Sequence, residues 1–93
     1  MRRLTLYTGR RCPLCDEALE LLERLGPALG FTVDEVDIAT DRELLRRYRN
    51  EIPVLALDGE ALLSAPLEER EVRRVLARRL SGRTASGKDR AKC

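Results

Sequence analysis

The chain has 93 residues and a net charge of +2, and 43% of its residues are apolar. This is enough for one small domain whose core is mainly aliphatic, because only three residues are aromatic. The absence of histidine excludes the commonest general base and metal ligand, and no apolar run approaches the roughly 20 residues of a membrane span.

The positive charge is concentrated at the end of the chain. Residues 81–93 carry four basic side chains against one acidic side chain, whereas residues 1–80 carry a net charge of −1. The last thirteen residues also contain almost nothing to bury, which predicts a disordered basic tail. We therefore place the domain at residues 1–80 and the tail at residues 81–93. The tail has only four basic residues and no aromatic residue, which favours a solubility or linker role over nucleic-acid binding.

The apolar periodicity predicts seven elements in the order β-α-β-α-β-β-α. They are strand 4–8, helix 13–25, strand 31–38, helix 41–49, strand 54–57, strand 60–63 and helix 67–80. Gly26-Pro27 should stop the first helix, and a change of apolar parity near Asp34-Glu35 predicts a bend in the second strand. Asp58-Gly59 predicts a tight hairpin turn. This order indicates an α/β fold, with one mixed four-stranded sheet flanked by helices.

All three predicted helices carry an apolar face, and that of the last one consists of Val72, Val75, Leu76 and Leu80. The first face consists of Leu14, Ala18, Leu21, Leu22 and Leu25. The face of the second predicted helix consists of Leu44, Leu45 and Tyr48, with arginines on the opposite side.

The chemistry is concentrated in Cys12-Pro13-Leu14-Cys15, where the first strand leads into the first helix. Pro13 suits the first helical position, which makes Cys12 the N-cap residue. There the thiol meets unpaired backbone N–H groups and the positive end of the helix dipole, and Arg10 and Arg11 precede it. We expect these groups to lower the pKa of Cys12 below the value of about 8.5 of a free thiol. Cys15 lies nearly one turn further on the same side, so it can attack a mixed disulfide formed at Cys12.

The order of elements, the Cys-x-x-Cys pair at the start of a helix and Ile52-Pro53 before the third strand resemble the thioredoxin fold. Over about residues 3–80 the chain resembles the small glutaredoxin-like proteins of bacteria, in segments 4–8, 12–18, 33–38, 52–55 and 58–59. The resemblance implies that Cys12 attacks and Cys15 resolves. It further implies that Pro53 is a cis-proline and that an extended substrate pairs with the backbone of Ile52 beside Leu14.

The function implied is that of a cytoplasmic thiol–disulfide oxidoreductase. Its partners would be a disulfide-containing protein or a glutathione mixed disulfide, with no membrane, no nucleic acid and no bound cofactor. Glutathione is a possible reductant, and a monomer is the default state. The short apolar stretch behind the N-terminus does not make a signal peptide. In the cytosol a Cys-x-x-Cys pair is more often catalytic or metal-binding than structural.

Three departures from glutathione-binding glutaredoxins favour dithiol chemistry over glutathione specificity. Gly9 stands where such proteins usually carry a lysine, and Glu51-Ile52-Pro53 replaces Thr-Val-Pro. The Gly-Gly pair that follows their hairpin is absent, and Pro66 removes a backbone donor nearby.

Five alternatives remain open at this stage. The two cysteines could bind zinc, although a structural site normally needs four ligands, or they could be an inert pair. The chain could be a non-catalytic thioredoxin-fold module that binds an extended peptide beside Pro53. Cys93 could be a third redox cysteine, and the arginines of the second helix could bind an anionic ligand.

Overall fold

The computed structural model describes residues 2–80, so the predicted tail at residues 81–93 lies outside the described residues. The predicted order of strands and helices is confirmed, with a short 3-10 turn at Ile38–Thr40 added after the second strand. The elements are β1 (Arg2–Thr8), α1 (Pro13–Leu29), β2 (Phe31–Asp37), α2 (Arg42–Tyr48), β3 (Val54–Leu57), β4 (Glu60–Ser64) and α3 (Glu69–Leu80). Among residues 2–80, none of the helices has the length and apolar character needed to cross a membrane.

The four strands form one mixed sheet in the order β2-β1-β3-β4. β1 runs parallel to β2, with Thr8 opposite Asp37, and antiparallel to β3, with Tyr7 opposite Val54. The ends of β1 and β2 and the start of β3 therefore lie at one edge of the sheet. The loop that leads from β1 to Cys12 leaves the sheet at this edge, as does the segment that enters β3 through Pro53. We call this edge of the sheet, where β1 and β2 end and β3 begins, the Cys12 edge.

Both faces of the sheet are covered by helices. Leu4 and Leu6 of β1 pack into the main core with residues of α1 and α3. Tyr7, on the opposite face of the same strand, packs instead against a second cluster that contains Tyr48 of α2. The predicted layering of helices on both sides of a mixed sheet is therefore correct.

The predicted end of α1 is wrong, because the helix continues through Pro27 to Leu29. The residue that ends it is Gly30, which adopts a left-handed conformation with φ of 84° and donates its N–H to the Gly26 carbonyl at 2.7 Å. A left-handed C-cap of this kind commonly ends a helix. The extra turn also lets Leu29 pack against the main core, which offsets the hydrogen bond that proline cannot donate.

Three further predictions about burial and register are wrong. β2 pairs with β1 in unbroken register, so there is no bend at Asp34-Glu35. The change of parity reflects burial on two sides, because Phe31 and Val33 pack in the main core whereas Ile38 belongs to the second cluster. The one register shift recorded in the sheet of residues 2–80 lies in the pairing of β3 with β4, at Leu55 and Ala56. Leu14 and Leu45 are 50% and 39% exposed, because each lies beside the apolar face of its helix rather than on it.

Glu69 links α3 to α1 and provides a pH-dependent contribution to stability. Its carboxylate accepts hydrogen bonds from Arg73 at 3.0 Å and from Arg24 of α1 at 3.2 Å. These bonds lower the pKa of Glu69 below its ordinary value of 4.5. A carboxylate with a lowered folded-state pKa stabilises the protein above that ordinary value, and the contribution is lost as the pH falls through the folded-state pKa.

We therefore expect the free energy of unfolding of the wild type to fall more between pH 6 and pH 3 than that of Glu69→Gln. Urea denaturation at each pH measures the difference. Glu71→Gln is the matched control, because Glu71 pairs with Arg74 at 3.5 Å within α3 and does not reach α1. Parallel pH profiles for the wild type and Glu69→Gln would contradict the assignment.

Candidate active site

Cys12 is the N-cap residue of α1, with an extended backbone at φ −118° and ψ 93° and with Pro13 in the first turn. Its Sγ accepts a hydrogen bond from the Cys15 N–H at 3.1 Å. Its carbonyl oxygen accepts from the N–H groups of Cys15 at 3.0 Å and Asp16 at 3.1 Å. The sulfur thus lies where the helix presents its donors and positive dipole, the environment that stabilises a thiolate.

Cys12 and Cys15 form a disulfide, with their Cα atoms 5.1 Å apart. The two residues differ in exposure: Cys15 is 2% exposed and packs inside, whereas Cys12 is partly exposed. An incoming sulfur atom can therefore approach Cys12 but not Cys15. This asymmetry matches the predicted division between an attacking and a resolving cysteine.

The Ile52-Pro53 segment lies beside the loop that carries Cys12. The peptide bond between the two residues is cis, and Pro53 is buried. A Cβ atom placed on Gly9 would lie 2.5 Å from Cδ1 of Ile52, so the two segments are in direct contact only because residue 9 has no side chain. The structure thus brings the predicted substrate-binding residues next to the loop that leads to the predicted nucleophile.

The backbone of Ile52 has one of its two polar groups occupied. Its N–H donates to the Tyr48 carbonyl at 3.1 Å, beside a 2.8 Å bond from Glu51 to the same oxygen. Within residues 2–80 no backbone N–H is recorded as donating to the Ile52 carbonyl oxygen. An extended substrate would therefore find an acceptor at Ile52 rather than a donor and acceptor pair.

The two arginines before Cys12 have different surroundings. Nε of Arg10 lies 3.7 Å from Oδ2 of Asp37, so a carboxylate partly compensates its charge. Arg11 is exposed and has a positive φ of 54°, and no carboxylate within residues 2–80 pairs with it at 4 Å or less. Arg11, which adjoins Cys12 in the chain, is consequently a positive charge that no carboxylate of residues 2–80 compensates at this distance.

Pro13 and Leu14 are the exposed residues between the two cysteines. Pro13 stands in the first turn of α1, as the sequence predicted. Leu14 presents half of its surface to solvent. Its exposure removes it from the core and leaves it on the surface beside the disulfide, where a substrate could contact it.

An aromatic pair supports the segment that precedes Ile52. Tyr7 and Tyr48 stack with ring centroids 4.9 Å apart, and the guanidinium carbon of Arg47 lies 5.8 Å from the Tyr48 ring centroid. The interaction with the Tyr48 side chain raises the pKa of Arg47 above its ordinary value. This stack fixes the end of α2, whose last carbonyl holds Glu51 and Ile52.

Asp37 is the site residue that the sequence reasoning missed. The sequence could have indicated Asp37, because parallel pairing of β1 with β2 brings the last residues of both strands to one edge of the sheet. Within residues 2–80, no cluster of three or more cysteine, histidine, aspartate or glutamate residues could hold a metal ion.

Known proteins share the fold of this chain and cover the residues of the candidate site. A profile described as Glutaredoxin-like domain (DUF836) matches residues 3–77, a span that contains both cysteines and Pro53. The chain belongs to this family. Among solved structures, this glutaredoxin-like chain is similar to the X. campestris protein XcR50, with 33% identity, a TM-score of 0.67 and coverage of 78% of this chain and 93% of that one.

Two further structures are similar to this glutaredoxin-like protein. Protein Ne2328 from Nitrosomonas europaea is 27% identical with a TM-score of 0.67, and the match covers 78% of this chain and 88% of that one. A malarial protein matches at 14% identity with a TM-score of 0.59, covering 84% and 96% of the two chains, and supports the fold alone. Together these matches establish a glutaredoxin-like domain with a thioredoxin-like fold.

Proposed function

We propose that this protein is a thiol–disulfide oxidoreductase that works through the Cys12/Cys15 dithiol. The observation that carries the proposal is the combination of two features in one pair of cysteines. Cys12 is partly exposed at a helix N-terminus with a backbone N–H on its sulfur, and Cys15 is buried within reach of it. A passive peptide-binding module requires neither feature.

The reaction begins with both cysteines reduced. The Cys12 thiolate attacks one sulfur of a substrate disulfide, forms a Cys12–substrate disulfide and releases the other substrate sulfur as a thiolate. Cys15 then loses its proton to solvent and attacks the Cys12 sulfur, which releases the second substrate thiolate and forms the Cys12–Cys15 disulfide. The substrate gains two electrons, and an external thiol reductant must return two electrons to the protein.

The surroundings suggest how a substrate is held. An extended segment lies along Ile52 and Pro53, donates an N–H to the Ile52 carbonyl and contacts Leu14. Its class is a disulfide-containing protein or a glutathione mixed disulfide, and glutathione is one candidate reductant. We place this activity in the cytoplasm, where thiols are kept reduced, and in a monomer that needs no bound cofactor.

The test uses full-length protein in which Cys93, which lies outside the described residues, is replaced by serine. With dithiothreitol as reductant, this protein should reduce insulin disulfides over many turnovers. Cys15→Ser that has been reduced and then freed of dithiothreitol should stop after one step and accumulate a mixed disulfide at Cys12, because the resolving thiol is gone. Mass spectrometry of the trapped species identifies the cysteine.

Cys12→Ser is the matched control, since it keeps a single cysteine at the other position and should form no adduct. Reductase activity that survives Cys12→Ser would refute the proposal. If insulin is not reduced but the Cys12→Ser, Cys15→Ser double variant still binds a disulfide-containing partner with unchanged affinity, the binding-module alternative is the correct one.

A further inference from the structure

Asp37 is held rigidly at the Cys12 edge of the sheet. It is the last residue of β2, paired in register with Thr8, which precedes Cys12 by four residues. Its Oδ1 accepts the Ala39 N–H at 2.8 Å, and its carbonyl oxygen accepts the Thr40 hydroxyl at 2.7 Å. The carboxylate is therefore fixed before any ion pair forms.

Arg10 is the more exposed partner in the ion pair with Asp37. The side chain of Arg10 is 84% exposed and that of Asp37 is 32% exposed, and the 3.7 Å separation is long for an ion pair. Exposed pairs of this kind are weak and easily exchanged. The other carboxylate recorded close to this end of β1 is Glu35, which accepts a hydrogen bond from the Thr8 hydroxyl at 3.0 Å rather than pairing with an arginine.

We infer that Asp37 is a specificity-determining residue, which pairs with Arg10, compensates part of its charge and so limits the net positive charge that an anionic disulfide meets near Cys12. The inference rests on the proposed function for its biological meaning. In the wild type the effective cation beside Cys12 is Arg11. Loss of the Asp37 charge releases Arg10 as a second cation and shifts preference towards anionic disulfides.

The experiment compares two small disulfides of opposite charge on the reduced protein in the Cys93→Ser background. Stopped-flow kinetics give the rate constant for attack of Cys12 on 5,5′-dithiobis(2-nitrobenzoate), a dianion, and on cystamine, a dication. We expect Asp37→Asn to raise the ratio of the anionic to the cationic rate constant about threefold at low ionic strength. Asparagine keeps an oxygen for the Ala39 N–H, so the turn remains capped.

Asp34→Asn is the matched control. Asp34 lies on the same strand and pairs with Arg3 at 3.1 Å, so the net charge changes equally but three residues further from the Cys12 edge. This variant should leave the ratio nearly unchanged. Equal effects of Asp34→Asn and Asp37→Asn would overturn the inference, because net charge alone would then explain both.

Arg10→Gln tests whether the effect passes through Arg10. It should lower the ratio more in the Asp37→Asn background than in the wild type, and equal effects in both backgrounds would overturn the inference. If Asp37→Asn does not fold, single arginine variants of the otherwise wild-type chain still test the inference. There Arg11→Gln should lower the ratio more than Arg10→Gln, and equal losses would overturn the inference.

This experiment also separates the inference from the proposed function. Attack on either disulfide is a single step that needs a reactive thiol at Cys12 and no turnover. A shifted ratio without insulin reductase activity would refute the proposed function alone, whereas full reductase activity with an unchanged ratio would refute the inference alone.

Discussion

In the reduced protein at pH 6, Cys12 is expected to react with iodoacetamide at least about a thousandfold faster than Cys15. Two physical causes act in the same direction. The N–H donor at Sγ of Cys12 and the start of α1 favour its thiolate, whereas burial of Cys15 disfavours a thiolate there and blocks the reagent. A lowered pKa raises the ionised fraction of Cys12 at this pH, and the alkylation rate rises with that fraction because the thiolate is the nucleophile.

The measurement is alkylation of the Cys93→Ser protein from pH 4 to pH 9, with mass spectrometry of the peptides that contain each cysteine. The protein unfolded in guanidinium chloride is the control, since there the two thiols should react at similar rates. Equal rates in the folded protein, or a midpoint for Cys12 near that of a free thiol, would show that the helix does not activate it.

Gly26→Ala is expected to destabilise the protein by about 1–3 kcal/mol, although glycine to alanine inside a helix usually stabilises. Gly26 is buried in α1, and a Cβ atom there would lie 2.6 Å from the Phe31 carbonyl oxygen. That oxygen belongs to the backbone at the start of β2, where Phe31 pairs with Arg2. It can move only if the strand or the helix moves.

Urea denaturation gives the change in the free energy of unfolding. Ala28→Gly, at an exposed position of the same helix, is the control for helix propensity and should cost about 1 kcal/mol. A Gly26→Ala variant more stable than the wild type would mean that α1 and β2 do not approach each other this closely.

The fold could be predicted to a large extent because its signals are local. Alternating apolar residues, the Asp58-Gly59 turn and the start of α1 at Pro13 all lie within short stretches of sequence, and the structure agrees with each. The end of α1 could not be predicted in this way. Gly26-Pro27 is a strong local stop signal, but the packing of Gly26 against Phe31 is a contact between two elements.

The candidate site, too, was predictable only where its features depend on neighbouring residues in the chain. The N-cap position of Cys12 followed from its immediate neighbours, and so did the pairing of Cys12 with Cys15. The pairing of Arg10 with Asp37 did not, because it depends on the register between two strands that are more than twenty residues apart in the chain. Local sequence could therefore identify the candidate nucleophile, but not the charges that surround it.

The contact between Gly9 and Ile52 has a consequence for protein engineering. A designer who wished to add a lysine at position 9, as in glutathione-binding glutaredoxins, would push the new side chain against the residue that precedes Pro53. Shortening Ile52 to valine or alanine in the same step makes room. The two positions should therefore be varied together, because a library that changes both can contain folded variants that single-site scanning would discard.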